Sequence, residues 1–419
     1  MPYSQSDESL ALDSSHLEAI LEKSRQFSYD SLFAKNAPVT VAGTWRRAKY
    51  DFAVAYPDPD TLPLDGLADA LKVALDREGK DLAYYPAGAG LYSLRQLVAE
   101  KLTRDRNMKV SPGDVVLTAG SSEAIGMLIQ TLTDPGDVVL TEEFVYLGTL
   151  RQLRRYGADV VSIKCDDQGI VPEELEATLK RLSGQGKNPK YLYTIPAFQN
   201  PLGWTMPLER RRRVLDITRE YGVPVFEDDC YVDLRFEGED VTSFHSLDDT
   251  GRVMYVGSFS KLVAPGMRMG YLVAPEAVVQ RAVGFKAGGG VNEFAALALE
   301  EYLKRDMYQH IDEQNRSLRV KRDAMLASLG ENFGSAVTWS KPEGGLYVWV
   351  EFPEGADLAA VQEQAFEEGV SYYNGSQFSP EGRGANCIRL CFGHPSAQMV
   401  YDGVAELARI LERHGVLRG

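Results

Sequence analysis

A lysine follows a strand-like segment at 253–256 and is flanked by a serine and an arginine, in the order Ser258, Lys261 and Arg268. A lysine amine can bond covalently to a carbonyl group, while a serine hydroxyl and an arginine can bind a phosphate of the same ligand. The alternative is a solvated surface lysine after a strand, which is the more common fate of a lysine taken alone. The covalent interpretation requires ligand-binding residues elsewhere in the chain.

The segment 115–124 predicts a strand, a glycine turn and the start of a helix. Gly120 supplies the turn, and Ser121 and Ser122 fall at the helix start. Backbone N–H groups at a helix start bind anions, so these residues form a candidate phosphate site. The alternative is a serine N-cap followed by Glu123 in the first helical turn, which needs no ligand.

Two further polar motifs follow apolar segments. Asn200, before Pro201, is either a turn residue or an amide donor to a phenolate-type oxygen of a ligand. Asp228 belongs to three consecutive acids at the end of the segment 223–227, and Tyr231 follows it three residues later. An unpaired buried carboxylate is costly, so Asp228 is a candidate partner for a cationic group of a ligand. The alternative is an exposed acidic turn.

Short apolar segments that alternate with helical stretches position these motifs. Such a pattern is typical of a parallel sheet that is covered on both faces, so we predict an α/β protein whose large domain has a mostly parallel seven-stranded sheet covered by helices. Ligands bind at the ends of the strands in such a sheet, which is where the motifs lie. The predicted strands are 115–118, 138–141, 160–163, 191–195, 223–227, 253–256 and 269–273.

The rest of the chain has an α+β pattern. A long amphipathic helix is predicted at 296–330, and strands at 337–340, 346–352 and 387–392 follow it. We predict a smaller α+β domain that is formed by the N- and C-terminal segments. The predicted boundaries are 1–60 for the N-terminal segment of the small domain, 61–305 for the large domain and 306–419 for the C-terminal part of the small domain.

Composition restricts the class of protein. The 419 residues are 44% hydrophobic and 25% charged, which is ordinary globular composition. The formal net charge of −15 argues against binding to nucleic acid or to an anionic membrane. Four scattered cysteines indicate neither a disulfide framework nor a zinc site, and no segment is apolar for long enough to cross a membrane. We expect a cytoplasmic protein without a metal site.

Together the motifs resemble those of the pyridoxal-phosphate-dependent aminotransferases of fold type I, and most of all the class I/II branch that holds the aminoadipate and kynurenine aminotransferases. The resemblance runs in unbroken order from about residue 50 to the end of the chain, and it implies pyridoxal 5'-phosphate as the cofactor of the large domain. The residues that carry it are Gly120, Ser121, Ser122, Tyr146, Asn200, Pro201, Asp228, Tyr231, Ser258, Lys261 and Arg268.

The resemblance implies a role for each of these residues. Lys261 would hold the cofactor as a Schiff base and then move the proton at the substrate Cα. Asp228 would keep the ring nitrogen protonated, and Asn200 and Tyr231 would hydrogen-bond the ring oxygen. Tyr146 would stack on the ring, or else it is a plain core tyrosine. Catalysis would thus fall to Lys261, Asp228 and Tyr231. The remaining cofactor-binding residues would be Gly120, Ser121, Ser122, Ser258 and Arg268.

Substrate-binding residues are implied in the same way. Arg389, a cation within an apolar segment, resembles the arginine that holds the substrate α-carboxylate with a bidentate fork, and its alternative is an internal ion pair. Asn200 and Tyr56 are further candidates. Where many relatives carry a glycine pair this chain has Val54 and Ala55, whose side chains we expect to crowd the approach to the substrate carboxylate, with Tyr56 entering the pocket.

A tyrosine in a loop completes the implied site. Tyr85 resembles the tyrosine that reaches the phosphate of the neighbouring subunit, and Tyr84 is an alternative because the sequence does not fix the register of that loop. Either choice implies a homodimer with shared active sites.

The resemblance therefore predicts an aminotransferase that moves an amino group from an L-amino acid to a 2-oxo acid, with no nucleic-acid or membrane partner. One alternative is a pyridoxal-phosphate-dependent lyase, decarboxylase or oxidase with the same scaffold. A second is the non-catalytic effector-binding domain of a transcription regulator. That class carries a DNA-binding domain ahead of the fold, for which under about 60 residues remain.

Overall fold

The computed structural model describes residues 18, 22, 28–34, 37, 46–286 and 288–417. The chain forms two units, Met1–Gly43 and Thr44–Gly419, and the elements named below belong to the second unit. Within the described residues, no helix combines the length and the apolar character that crossing a membrane requires.

Most strands are short and coincide with the apolar segments of the sequence. All residues of the strands 115–118 and 225–228 are buried, as expected for strands that are covered on both faces. In chain order the strands are β1 (Tyr50–Asp51), β2 (Val115–Thr118), β3 (Val138–Glu142), β4 (Asp159–Ile163), β5 (Cys165–Asp166), β6 (Gly169–Ile170), β7 (Leu192–Thr194), β8 (Val225–Asp228), β9 (Val253–Ser258), β10 (Gly270–Val273), β11 (Thr338–Trp339), β12 (Tyr347–Glu351), β13 (Val370–Ser371), β14 (Tyr373–Asn374) and β15 (Cys387–Cys391).

Helices alternate with these strands. Several of them begin at a side-chain cap; Ser396, for example, accepts a hydrogen bond from the backbone of Met399. The α-helices of the described residues that follow Tyr50 are α1 (Leu64–Glu78), α2 (Tyr92–Arg106), α3 (Ser121–Leu132), α4 (Leu147–Arg155), α5 (Pro172–Gly184), α6 (Leu208–Glu220), α7 (Phe244–Leu247), α8 (Glu276–Gly284), α9 (Glu293–Asn332), α10 (Gln362–Glu367) and α11 (Ala397–Arg413).

The large sheet has seven strands in the order β2-β10-β9-β8-β7-β3-β4. The strands from β9 to β4 pair in parallel, whereas β10 is antiparallel to both of its neighbours. The predicted α/β fold with a mostly parallel seven-stranded sheet is therefore confirmed. Because β10 runs in reverse, its first residue, Gly270, lies opposite Thr118 and Ser258 at the ends of β2 and β9. Residues just before β10 thus reach the same sheet edge as residues that follow the other strands.

Side chains from both faces of this sheet enter separate apolar cores. Along β9, Tyr255 packs in one cluster with Leu299 of α9, and Val256 packs in another with Leu128 of α3. Alternate residues of the strand therefore face different helix layers. This double cover leaves the strand ends as the accessible part of the sheet.

A second, antiparallel sheet has the order β11-β12-β15-β14. Nearby, β1 pairs in parallel with β13, so that Tyr50 lies opposite Val370. The chain that follows residue 46 thus joins the C-terminal region, in agreement with the α+β character predicted for it. The boundary predicted at 305/306 falls within the 40-residue helix α9. The two predicted domain boundaries, at 60/61 and 305/306, remain predictions.

Candidate active site

A cavity of about 280 Å³ lies where the strands of the large sheet end. Asp228 is the last residue of β8, Ser258 is the last of β9, and Ser121 begins α3 immediately after β2. These elements converge as an open parallel sheet requires. The predicted site residues that line the cavity are Ser121, Ser122, Tyr146, Asn200, Asp228, Tyr231, Ser258, Lys261, Arg268 and Arg389.

One end of the cavity is built for an anion. Gly120 has a φ of 82°, and a Cβ at this position would come within 2.6 Å of Nη2 of Arg268. Arg268 also has a left-handed backbone, with a φ of 51°, and it donates to the carbonyl of Ala119 at 2.9 Å. The first N–H groups of α3 have no intrahelical acceptor, and the hydroxyl-bearing Ser121 and Ser122 line the cavity beside them. A phosphate fits this set of donors.

Asp228 supplies a buried carboxylate, with 3% of its surface exposed. Tyr193 donates to its Oδ2 at 2.6 Å, and the Cys230 thiol donates to its Oδ1 at 2.8 Å. Burial raises the pKa of Asp228 to about 6, although both of these hydrogen bonds act to lower it. A cationic group of a ligand beside Asp228 would favour the charged form of the carboxylate.

The two acids beside Asp228 have partners inside the protein. Asp229 pairs with Arg106 at 3.1 Å and accepts from the Tyr255 hydroxyl at 3.0 Å. Glu227 accepts from the backbone N–H groups of Phe244 and the residue after it, both at 2.9 Å. These bonds explain why three consecutive acids can be buried, and they leave Asp228 as the acid of the three that lines the cavity.

Lys261 places its amine against the N-terminal strand region. Its Nζ donates to the carbonyl of Ala55 at 2.5 Å, and its own carbonyl accepts from Gln314 Nε2 at 2.9 Å. Burial lowers the pKa of Lys261, which increases the fraction of neutral, nucleophilic amine. The side chain therefore has the location and the protonation behaviour of a covalent ligand-binding lysine.

Three polar groups meet next to Asp228. Nδ2 of Asn200 donates to the hydroxyls of Tyr231 at 3.2 Å and Tyr347 at 3.3 Å, and Tyr347 donates to Tyr231 at 2.5 Å. Burial raises the pKa values of both tyrosines, so their hydroxyls stay protonated. This cluster can donate hydrogen bonds to an oxygen atom of a ligand.

Arg389 is buried in β15, with 3% of its surface exposed. Nη1 donates to Oδ1 of Asn200 at 2.9 Å, and Nη2 donates to the carbonyl of Ala53. Its Nε has no hydrogen-bond partner among the residues that the structure describes, and its guanidinium lies over the rings of Tyr347 and Tyr373 at 4.7 and 5.0 Å. A buried cation that is held by neutral acceptors favours an anionic ligand such as a carboxylate.

The structure does not bring every predicted site residue to this cavity. Tyr56 lies in a neighbouring cavity with Arg47, whose guanidinium is 5.6 Å from the centre of its ring. Tyr85 and Tyr84 are 97% and 78% exposed and do not line the cavity within this chain. Tyr146 does line it, at the N-cap of α4.

Some residues that line the cavity or support its side chains were not predicted from the sequence. Tyr347 lines the cavity. Tyr193 does not line it but donates a hydrogen bond to Asp228 from within the protein. A signal existed for Tyr193, because a tyrosine in a buried strand must find a partner for its hydroxyl. Val54 and Ala55 line the cavity, and the crowding that we expect from their side chains stays a prediction. Nothing in the sequence indicated that the backbone carbonyls of Ala53 and Ala55 accept hydrogen bonds from Arg389 and Lys261.

Comparison with known proteins identifies relatives over most of the chain. The family model "aminotransferase class I and II" matches residues 55–401. The chain is 33% identical over 359 residues to aromatic-amino-acid aminotransferase 1 of Thermococcus litoralis, covering 85% of this chain and 86% of the relative. It is 32% identical to 2-aminoadipate transaminase of Thermus thermophilus, covering 88% and 91%.

A solved structure agrees with these relatives. The α-aminoadipate aminotransferase of Thermus thermophilus, determined in complex with N-(5'-phosphopyridoxyl)-L-leucine, superposes with a TM-score of 0.85 at 31% identity. The match covers 93% of this chain and 99% of that protein.

Proposed function

This chain belongs to the class I and II aminotransferases, and from that premise we propose that Lys261 and Asp228 hold its cofactor while Arg389 holds the substrate carboxylate. The enzyme uses pyridoxal phosphate to move an amino group from an amino acid to a 2-oxo acid. The observation that supports the assignment is that a single cavity is lined by all three side chains.

The residues of this chain fit each part of the cofactor. The N-terminus of α3, with Ser121, Ser122, Ser258 and Arg268, offers donors for the phosphate. At the same phosphate site, a Cβ at Gly120 would collide with the side chain of Arg268. Asp228 offers a carboxylate for the ring nitrogen. When bound, pyridoxal phosphate supplies an electron sink for the bond that breaks at the substrate Cα.

Side chains of this protein bind the substrate, move the proton and hold the cofactor ring. Arg389 binds and orients the α-carboxylate through two parallel N–H donors. Lys261 carries the cofactor on Nζ and, once its amine is released, takes the proton from the substrate Cα and returns a proton to complete the transfer. Asn200 and Tyr231 donate hydrogen bonds to the ring oxygen, and Tyr146 packs against the ring.

A half-reaction tests this function. We expect addition of an L-amino acid to shift the absorbance of the bound cofactor to that of pyridoxamine phosphate, and addition of 2-oxoglutarate to reverse the shift. A lyase or decarboxylase with the same scaffold would release its product without a spectrum that the oxo acid reverses. Scanning amino acids by this readout also identifies the donor.

We further infer a homodimer in which Tyr85 completes the site of the partner subunit. Tyr85 and Tyr84 are strongly exposed, and Phe285 on an adjacent segment is 48% exposed. The two segments touch, because a Cβ at Gly88 would lie 2.8 Å from the side chain of Val283. Exposed apolar side chains that cluster in this way mark protein–protein interfaces.

Replacement of Tyr85 by phenylalanine is expected to weaken pyridoxal phosphate binding roughly tenfold, because one hydrogen bond to a charged phosphate is lost. Tyr84→Phe is the matched control and should leave the affinity unchanged. Titration of each apoenzyme with pyridoxal phosphate measures the dissociation constants of the two variants. Light scattering gives the molar mass of the enzyme in solution and thus shows whether it is a dimer. A monomeric active enzyme, or a larger effect from Tyr84→Phe, contradicts the assignment of Tyr85.

The cytoplasm is the compartment that we propose. All four cysteines, at positions 165, 230, 387 and 391, are free thiols in the structure. Unpaired thiols are typical of proteins in a reducing compartment. Fractionation of the source cells tests the inference, and recovery of the protein outside the cytoplasm would contradict it.

A further inference from the structure

Both oxygens of the Asp228 carboxylate accept hydrogen bonds from residues that the family assignment does not explain. The Tyr193 hydroxyl donates to Oδ2 at 2.6 Å, and the Cys230 thiol donates to Oδ1 at 2.8 Å. Tyr193 lies on the neighbouring strand β7 and is fully buried. It does not line the cavity, so it would act on a ligand only through Asp228.

The direction of the bond from Tyr193 is set by a third residue. Thr149, which is buried on α4, donates to the Tyr193 hydroxyl at 3.0 Å. The Tyr193 hydroxyl oxygen thus accepts a hydrogen bond from Thr149, and the Tyr193 hydroxyl proton is available to donate to Asp228. Successive bonds of this kind polarise one another in a buried environment, which strengthens the bond to the carboxylate.

We propose that Tyr193 is a positioning residue for Asp228, and that Thr149 and Cys230 assist it in keeping this carboxylate charged and turned toward the cavity. The proposal rests on the proposed function, in which Asp228 faces the ring nitrogen of the cofactor. Hydrogen bonds to a charged carboxylate favour its ionised form and oppose the cost of its burial. Without them Asp228 would take up a proton more readily and would bind a cationic ring less tightly.

The chain contains a matched control for the Tyr193 hydroxyl. Tyr191 lies two residues earlier, is also fully buried, and shares a hydrogen bond of 3.0 Å with the hydroxyl of Thr133. Tyr191→Phe therefore removes the same atom from a comparable environment without touching Asp228. A difference between the two variants reports the role of Tyr193 rather than the general cost of losing a buried hydroxyl.

The test measures the dissociation constant of the apoenzyme for pyridoxal phosphate by quenching of tryptophan fluorescence. We expect Tyr193→Phe to bind the cofactor roughly 10- to 100-fold more weakly, the range for losing one hydrogen bond to a charged group. The absorbance spectrum of its bound cofactor should change, since ring protonation changes. Tyr191→Phe should match the wild type in both readouts. Equal affinities and spectra for the two variants would overturn the proposal.

Thr149 provides a second route if Tyr193→Phe does not fold. Thr149→Val should weaken cofactor binding several-fold, whereas Thr149→Ser keeps the hydroxyl and should restore wild-type affinity. Wild-type affinity in Thr149→Val, together with an unfolded Tyr193→Phe, would overturn the proposal.

Asp228→Asn separates this inference from the proposed function. We expect this variant to bind the cofactor weakly and to show little further loss when Tyr193→Phe is added, because both changes act on the same charge. Wild-type affinity in Asp228→Asn would refute the assignment of Asp228 itself, and the inference with it. Weak binding by Asp228→Asn, combined with no effect of Tyr193→Phe, would refute the inference alone.

Discussion

Lys261→Ala is expected to abolish amino transfer and to leave pyridoxal phosphate bound only by non-covalent contacts. The variant lacks both the amine that carries the cofactor and the base that takes the Cα proton. A positioned proton-transfer group alone contributes up to roughly 10⁴-fold in rate, so we expect a loss of at least that size. Turnover assays measure the rate, and borohydride reduction followed by mass spectrometry of peptides locates the covalent bond.

Lys286→Ala is the matched control for this experiment. Lys286 donates to a backbone carbonyl, that of Leu117, at 2.7 Å, as Lys261 does to Ala55. Burial lowers the pKa of both lysines, yet Lys286 does not line the cavity. We expect Lys286→Ala to keep the borohydride-stable adduct at residue 261. An adduct that persists in Lys261→Ala, or that is lost in Lys286→Ala, would refute the assignment.

Arg389→Ala is expected to lower kcat/KM for amino acids roughly 10²- to 10³-fold, with little change in cofactor affinity. The variant removes a buried, bidentate partner of the substrate carboxylate, and truncating one side of such a pair costs about 2–5 kcal/mol. Arg389→Lys keeps the charge without the fork and should recover only part of the loss. Steady-state kinetics and cofactor titration provide the two measurements.

A substrate without a carboxylate decides whether Arg389 acts as proposed. An amine with the same side chain as the preferred amino acid gains nothing from the guanidinium, so the wild type and Arg389→Ala should process it at similar rates. If the variant loses as much activity toward the amine as toward the amino acid, Arg389 supports the structure of the cavity and does not bind the carboxylate.

The parts of the site that sequence could predict are those with a local signal. Asp228 and Arg389 stand out because a charge within or at the end of an apolar strand is costly unless it has a partner. The predicted strands around Asp228 also followed from local pattern, since buried parallel strands are continuously apolar.

Contacts between distant elements could not be predicted in the same way. Tyr193 meets Asp228 because β7 and β8 pair with Tyr193 opposite Phe226, and a single sequence does not fix that register. The reversed strand β10, which delivers Arg268 to the sheet edge, was indistinguishable from a parallel strand by its composition. The backbone contacts of Ala53 and Ala55 leave no signature in the types of their side chains.

In this structure, the backbone carbonyls of Ala53 and Ala55 accept the hydrogen bonds that Arg389 and Lys261 would otherwise direct into the cavity. Nη2 of Arg389 and Nζ of Lys261 each donate a hydrogen bond to a neutral carbonyl oxygen of the same short segment. An incoming molecule therefore has to outcompete the polypeptide itself, rather than only water. A carboxylate brings a negative charge and two acceptor oxygens to the guanidinium, so it displaces the neutral carbonyl at Arg389, whereas an amide or alcohol offers no stronger acceptor than the carbonyl already does. Through its backbone carbonyls, the segment 53–55 thus makes binding at Arg389 selective for ligands that carry a carboxylate, before any reaction step takes place.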